Sequence, residues 1–221
     1  MSNNEFGPVR RIGISSRAMT GKFAEGWEFE SALERDFMEI VRFDIKIDRY
    51  NPQPLTIQYL DDQGKRRRYT PDGLVEYRRD LAPARDMKPL LCEIKYRADL
   101  VTNWRELLPK FRAARQFCRQ KNWTFRIFTE RDIRTDYLTN VRFLYPYLSR
   151  YDDYAIVHLL IDKIYDLRET DPEALLVNLF RDKRNRAAAL PMIWYLVATH
   201  QVGCDLDKPL NMKSRIWTME G

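Results

Sequence analysis

The chain has 221 residues, 44% apolar and 32% charged, which allows one large domain or a medium domain with a small companion. Lys and Arg outnumber Asp and Glu by 38 to 32, and the resulting +6 and pI near 9.2 suit nucleic acid or an acidic partner. Three isolated cysteines and two histidines without ligand neighbours argue against a zinc site, and no apolar run approaches membrane-spanning length. The sparse, odd cysteine count and the lack of an apolar leader in the first thirty residues predict a reduced, cytoplasmic protein.

Residues 1–26 are polar and read as an extended arm carrying Arg10, Arg11, Arg17 and Lys22. From Phe29 the pattern turns helical, with Phe29, Leu33, Phe37, Ile40 and Val41 on one face and Ser31 and Glu34 at capping-box spacing. This helix should stop near Phe43, before "DIKIDRYNPQP". "PLTIQYL" is then a strand, "DDQG" a turn, and "KRRRYT" and "DGLVEYR" further strands broken near Pro71. "DLAPARDMKP" is a surface loop by its prolines and charges. "LLCEIKY" is the next strand. In "NWRELLPKFRAARQFCRQ", Trp104, Leu107, Leu108, Phe111, Ala114 and Cys118 form one stripe. That predicts a long helix from an Asn103 cap, with Pro109 marking a kink or a later start. "TFRIFT" is a short strand, and a helix follows from about Ile133 to Leu144.

The expected fold class is α/β, a mixed sheet flanked by helices. After "YPYLSRYD" the character changes. Ala155 to Leu167, Glu173 to Phe180 and Ala187 to His200 read as three helices, and "GCDLDKPLNMKSRIW" as a small hairpin. Together they suggest a mostly helical, winged-helix-like module. The expected organisation is an arm over 1–26, a catalytic domain over 27–147 and the helical domain over 148–221.

The chemistry concentrates in "LLCEIKYR". Period-two alternation puts Glu93 and Lys95 on the same face of a strand that is otherwise apolar. Asp72, after Pro71, begins a strand expected to pair with it. Two carboxylates held close repel each other unless a cation lies between them. A hard divalent ion such as Mg²⁺, with Mn²⁺ able to substitute, takes oxygen ligands, to which the Ile94 carbonyl can add one. Glu34, at the border of the first helix's apolar stripe, would be a third acid. Lys95 would orient water and counter charge on phosphoryl oxygens, which is the chemistry of metal-assisted phosphodiester hydrolysis. Ordinary readings stand beside these: Glu34 as a capping-box residue, Asp72 as a turn cap, Glu93 and Lys95 as a cross-strand ion pair on a wet face. Two basic runs are candidate DNA contacts: Lys65, Arg66, Arg67 and Arg68 in the hairpin, and Lys183, Arg184 and Arg186 at the start of the last helix. A solvated edge strand kept from aggregating by its charge explains the first run equally simply, and the second could instead meet an acidic patch on a partner.

Pro-Asp, a loop, then Glu-x-Lys in an apolar strand matches the short PD-(D/E)xK nuclease signature. Over most of its length the chain resembles the TnsA family, the endonuclease subunits of heteromeric bacterial transposases. The likeness lies in "GKFAEGWEFESALERDFMEIVRFD", "QPLTIQYLDDQGKRRRYTPDGLVEY", "LCEIKYRADLVTNWRELLPKFRAAR" and "FRIFTERDIRT". The resemblance implies a restriction-endonuclease-like core with Glu34, Asp72, Glu93 and Lys95 at the catalytic positions. It further implies a subunit that cuts the 5′ strands at transposon ends. A TnsB-like transposase would cut and join the 3′ ends, and a TnsC-like ATP-dependent regulator would couple both to target choice. The rival expectations are a free-standing restriction or repair nuclease of this fold, and a non-catalytic DNA- or protein-binding assembly module.

Overall fold

The computed structural model of the protein describes residues 21–22, 28–29, 31–149 and 154–219. The arm expected over 1–26 therefore lies outside the described residues apart from Gly21–Lys22. The chain falls into two compact units, Met1–Ile133 and Arg134–Gly221.

The first unit begins with a two-stranded ribbon of β1 (Gly21–Lys22) and β2 (Glu28–Phe29), so Phe29 belongs to a strand rather than to the first helix. Helix α1 (Ala32–Phe43) starts where predicted, because the Ser31 hydroxyl accepts the Glu34 amide proton and satisfies one of the free donors of the first turn. Strand β3 (Ile47–Pro52) follows, then β4 (Ile57–Leu60) and β5 (Arg66–Tyr69) as a separate hairpin. Next come β6 (Gly73–Tyr77), β7 (Leu90–Ile94), helix α2 (Arg97–Lys121), β8 (Thr124–Phe128) and the short α3 (Glu130–Ile133). The main sheet has the order β3-β6-β7-β8, with the first two pairings antiparallel and β7–β8 parallel.

Strand β3 stands where the sequence reads as irregular chain. Only Tyr50 in it is buried, so this edge strand carries little apolar pattern and its polar residues look like a loop. Helix α2 starts at Arg97, six residues before the expected Asn103 cap. Asn103 instead sits inside it with non-helical angles, φ −108° and ψ 16°, and marks a kink; Pro109 is accommodated farther along. One face of the sheet packs on α2 and the hairpin, where Ile57, Tyr69, Leu74, Leu91, Ala114 and Cys118 form a buried cluster. The ring of Phe37 on α1 lies against Tyr50 of β3 and Phe128 of β8.

The second unit contains α4 (Asp136–Leu144), α5 (Tyr154–Leu167), β9 (Glu169–Thr170), α6 (Pro172–Leu179), α7 (Lys183–Ala198), β10 (Val202–Cys204) and β11 (Ile216–Thr218). Its strands form an antiparallel sheet of order β10-β11-β9. The boundary falls at 133/134, earlier than the 147/148 expected from sequence. The reason is α4, which packs on α7 and carries buried Asn140. The Asn140 amide donates to the Leu206 and Lys208 carbonyls, both at 2.8 Å, and accepts from the Leu210 amide at 3.2 Å.

Candidate active site

Asp72 precedes β6 and Glu93 lies near the end of β7. The antiparallel register that pairs Gly73 with Cys92 brings the two together, β6 pairing with β7 as expected from the sequence. The Asp72 amide donates to the Cys92 carbonyl at 3.1 Å, and Asp72 Oδ2 accepts the Ile94 amide at 2.6 Å. Gly73 is needed here for space, since any Cβ would fall 2.3 Å from the Tyr50 hydroxyl oxygen. That close approach lets Tyr50 reach the Asp72 carbonyl at 3.4 Å.

Electrostatics separate the two acids. The Asp72 carboxyl is pushed well above the usual aspartate range, first by burial and then by the negative charges of Glu93 and Glu34, while the Ile94 amide and Lys95 pull it down. Glu93 is 1% exposed and fully engaged. Its Oε2 accepts the Tyr69 hydroxyl at 2.6 Å, and its Oε1 accepts the Lys110 ammonium at 2.8 Å, with Lys95 Nζ 3.8 Å from the same oxygen. Burial, then the charge and hydrogen bond of Glu93, raises the Tyr69 hydroxyl far above its ordinary value, so it stays a donor. On α1, Ser31 Oγ donates to Glu34 Oε1 at 3.1 Å. The structure thus sets Asp72, Glu93 and Lys95 around one end of β6 and β7, with Glu34 close enough for its charge to act on Asp72.

Residues 44–130 match the family model described as TnsA-like endonuclease N terminal, and residues 132–206 match that described as TnsA endonuclease C terminal. The chain belongs to the TnsA endonuclease family. The two matches meet within a few residues of the division between the units. Among curated proteins none matches the chain. TnsA membership makes it a DNA endonuclease, a transposase nuclease subunit that acts with transposase partners.

Asp72, Glu93 and Glu34 offer carboxylate oxygens, the donor type that a hard divalent cation takes, and the Asp72 carboxyl is raised by burial and then by its acidic neighbours. As the side chains lie, no three His, Cys, Asp or Glu residues among the described ones are gathered closely enough to hold an ion. Both oxygens of Glu93 are bound, by Tyr69 and Lys110.

Those two residues were not singled out as site residues in the sequence. Both carried a signal. Tyr69 is the one buried position of β5, after three exposed arginines. Lys110 lies three residues after Leu107 and four before Ala114, on the edge of an apolar stripe where a lysine needs a partner. The basic candidates are placed differently from one another. Lys65, Arg66, Arg67 and Arg68 are exposed, with Arg67 Nε 2.8 Å from Asp61. Lys183 and Arg184 are exposed at the start of α7. Arg186 turns back to donate to the Phe180 carbonyl at 2.7 Å and to that of Arg181, holding the end of α6. Among the described residues no helix is long and apolar enough to cross a membrane.

Proposed function

We propose that this TnsA-family protein is a Mg²⁺-dependent endonuclease that cuts the 5′ strands at transposon ends by hydrolysis in the bacterial cytoplasm. In this reading a TnsB-like transposase cuts and joins the 3′ ends, and a TnsC-like ATP-dependent regulator couples both to target choice. The observation that supports it most is the Asp72 carboxyl, set against Glu93 across β6 and β7 and raised by burial and by two acidic neighbours. Glu34, Asp72, Glu93 and the Ile94 carbonyl would hold Mg²⁺, or Mn²⁺ in its place. The ion when bound supplies Lewis-acid stabilisation of phosphoryl oxygens and a water of lowered pKa.

The chain's own groups do the rest. The Ile94 amide fixes one Asp72 oxygen. Tyr69 and Lys110 hold the Glu93 carboxylate in one orientation. Lys95, anchored beside Glu93 with its side chain 29% exposed, presents an ammonium to an incoming phosphate and would counter charge developing there. The exposed run Lys65–Arg68 would track DNA phosphates, as would Lys183 and Arg184 at the start of α7. The second unit runs helix, strand, helix, helix, strand, strand after α4, with its last strand in the middle of the sheet, and that order fits the winged-helix-like reading.

The test is a strand-mapped cleavage assay on DNA carrying transposon ends, with and without the companion subunits. The expected result is 5′-strand cutting that needs Mg²⁺ and the companions, and falls about 10³-fold in Asp72→Ala, the scale of several kcal/mol of lost stabilisation. Cutting without companions would point to a free-standing nuclease. Undiminished cutting by Asp72→Ala would make the subunit a scaffold.

A further inference from the structure

A carboxylate that is 1% exposed must have counter-charge close by, and for Glu93 it comes mainly from outside the strand that carries it. Lys110, from the middle of α2, places its ammonium 2.8 Å from Oε1, nearer than Lys95 at 3.8 Å. The same ammonium lies 4.8 Å from the centre of the Tyr69 ring and 5.2 Å from that of Phe111, a second set of favourable contacts along its path. Its side chain keeps 19% of its surface exposed, so a short swing reaches solvent. Tyr69, fixed in the core cluster and donating to Oε2, has no such freedom.

A divalent ion ligated through Glu93 Oε1 would stand beside an ammonium bound to the same oxygen. Two cations on one oxygen repel, and the one on a flexible arm yields. Resting on the metal-dependent reading above, we propose that Lys110 is an exchangeable counter-ion of Glu93: it holds the buried carboxylate in one orientation, and a divalent cation displaces it on binding. The exchange makes Lys110 a positioning residue that sets metal affinity.

The competition predicts a gain where a merely supportive lysine would give a loss. Mn²⁺ binding to the full-length protein, followed by the electron paramagnetic resonance signal of free Mn²⁺, should be about tenfold tighter in Lys110→Met than in the wild type, a coupling of ordinary size. Lys110→Met should melt lower than the wild type without metal, and saturating Mn²⁺ should close that gap. Lys110→Arg should restore both behaviours. In the wild type, acetylation of Lys110 by a water-soluble acylating reagent, read by mass spectrometry, should speed up when Mg²⁺ is added. That measurement needs no variant to fold. Equal or weaker Mn²⁺ binding by a folded Lys110→Met, or Lys110 labelling indifferent to Mg²⁺ in protein that binds it, would overturn the exchange and leave the metal reading standing. A wild type that binds neither ion would overturn both.

Discussion

The two units solve burial in opposite ways. Among the described residues the second unit buries an unbroken run, Met192 to Ala198, in the last turns of α7, and its one buried polar side chain is the neutral amide of Asn140. The first unit buries Asp36 and Glu93, and sets Asp72 where burial strains its charge. Charge kept against the solvation gradient lowers stability unless each group is answered, whereas a satisfied amide adds to it. The difference teaches that the second unit buries almost nothing that must be answered by charge, while the first tolerates a local electrostatic deficit at one end of its sheet.

Asp72→Asn breaks this comparison most sharply. Cutting should fall by about 10³-fold, as for the alanine variant, because an amide is a poor ligand for a hard ion. Stability without divalent ions should move the other way. The Asp72 carboxyl has a raised pKa in the folded chain, so the folded state binds that proton more tightly than the unfolded state does. The wild type therefore loses stability as pH climbs above the ordinary aspartate value of about 3.9 until it passes the raised folded value. The side-chain amide introduced by the substitution does not titrate, and its oxygen can still accept the Ile94 amide proton. The variant should melt higher than the wild type at neutral pH and no higher at pH 3, measured by calorimetry in chelator. A lower melting temperature across the whole range would mean that the Asp72 carboxylate stabilises the fold.

Asn140→Ala probes the other unit. Its amide answers the Leu206 and Lys208 carbonyls and the Leu210 amide, so the variant leaves three backbone groups wanting. The expected loss is about 2–3 kcal/mol. It should be independent of pH and read as lost hydrogen-exchange protection at Leu210. Unchanged protection there would show that water replaces the amide without penalty.

The legible parts of this molecule are those where local pattern and tertiary burial agree. Helix α1 announces itself by Ser31 and a clean apolar stripe, and β7 by an apolar run whose two misfit charges share a face. The pairing of β6 with β7 was readable from two consecutive apolar strands joined by a proline- and charge-rich loop. Strand β3 was not readable, since an edge strand with one buried residue has no period to detect. The expected boundary and the division between the units differ because the break at "YPYL" is stronger in sequence than the two-residue gap before α4, yet α4 packs on α7. Tyr69 and Lys110 were missed for a further reason. Their partner is 24 and 17 residues away, and nothing local says that a hairpin tyrosine and a helix lysine converge on one carboxylate.

The smallest expected effect separates a cap from a catalytic support. Ser31 does two things: it accepts the Glu34 amide, which starts α1, and it donates to the Glu34 carboxylate, which fixes a proposed metal ligand. Ser31→Ala removes both and should lower stability by about 1 kcal/mol. Ser31→Asp keeps the cap, since aspartate accepts the same amide, but it cannot donate to Glu34 and sets a like charge beside it. If Glu34 only caps the helix, Ser31→Asp should cut DNA as well as the wild type. If Glu34 belongs with Asp72 and Glu93, Ser31→Asp should hold its melting temperature and lose about tenfold in cutting, the usual scale for removing a hydrogen bond that orients a metal ligand.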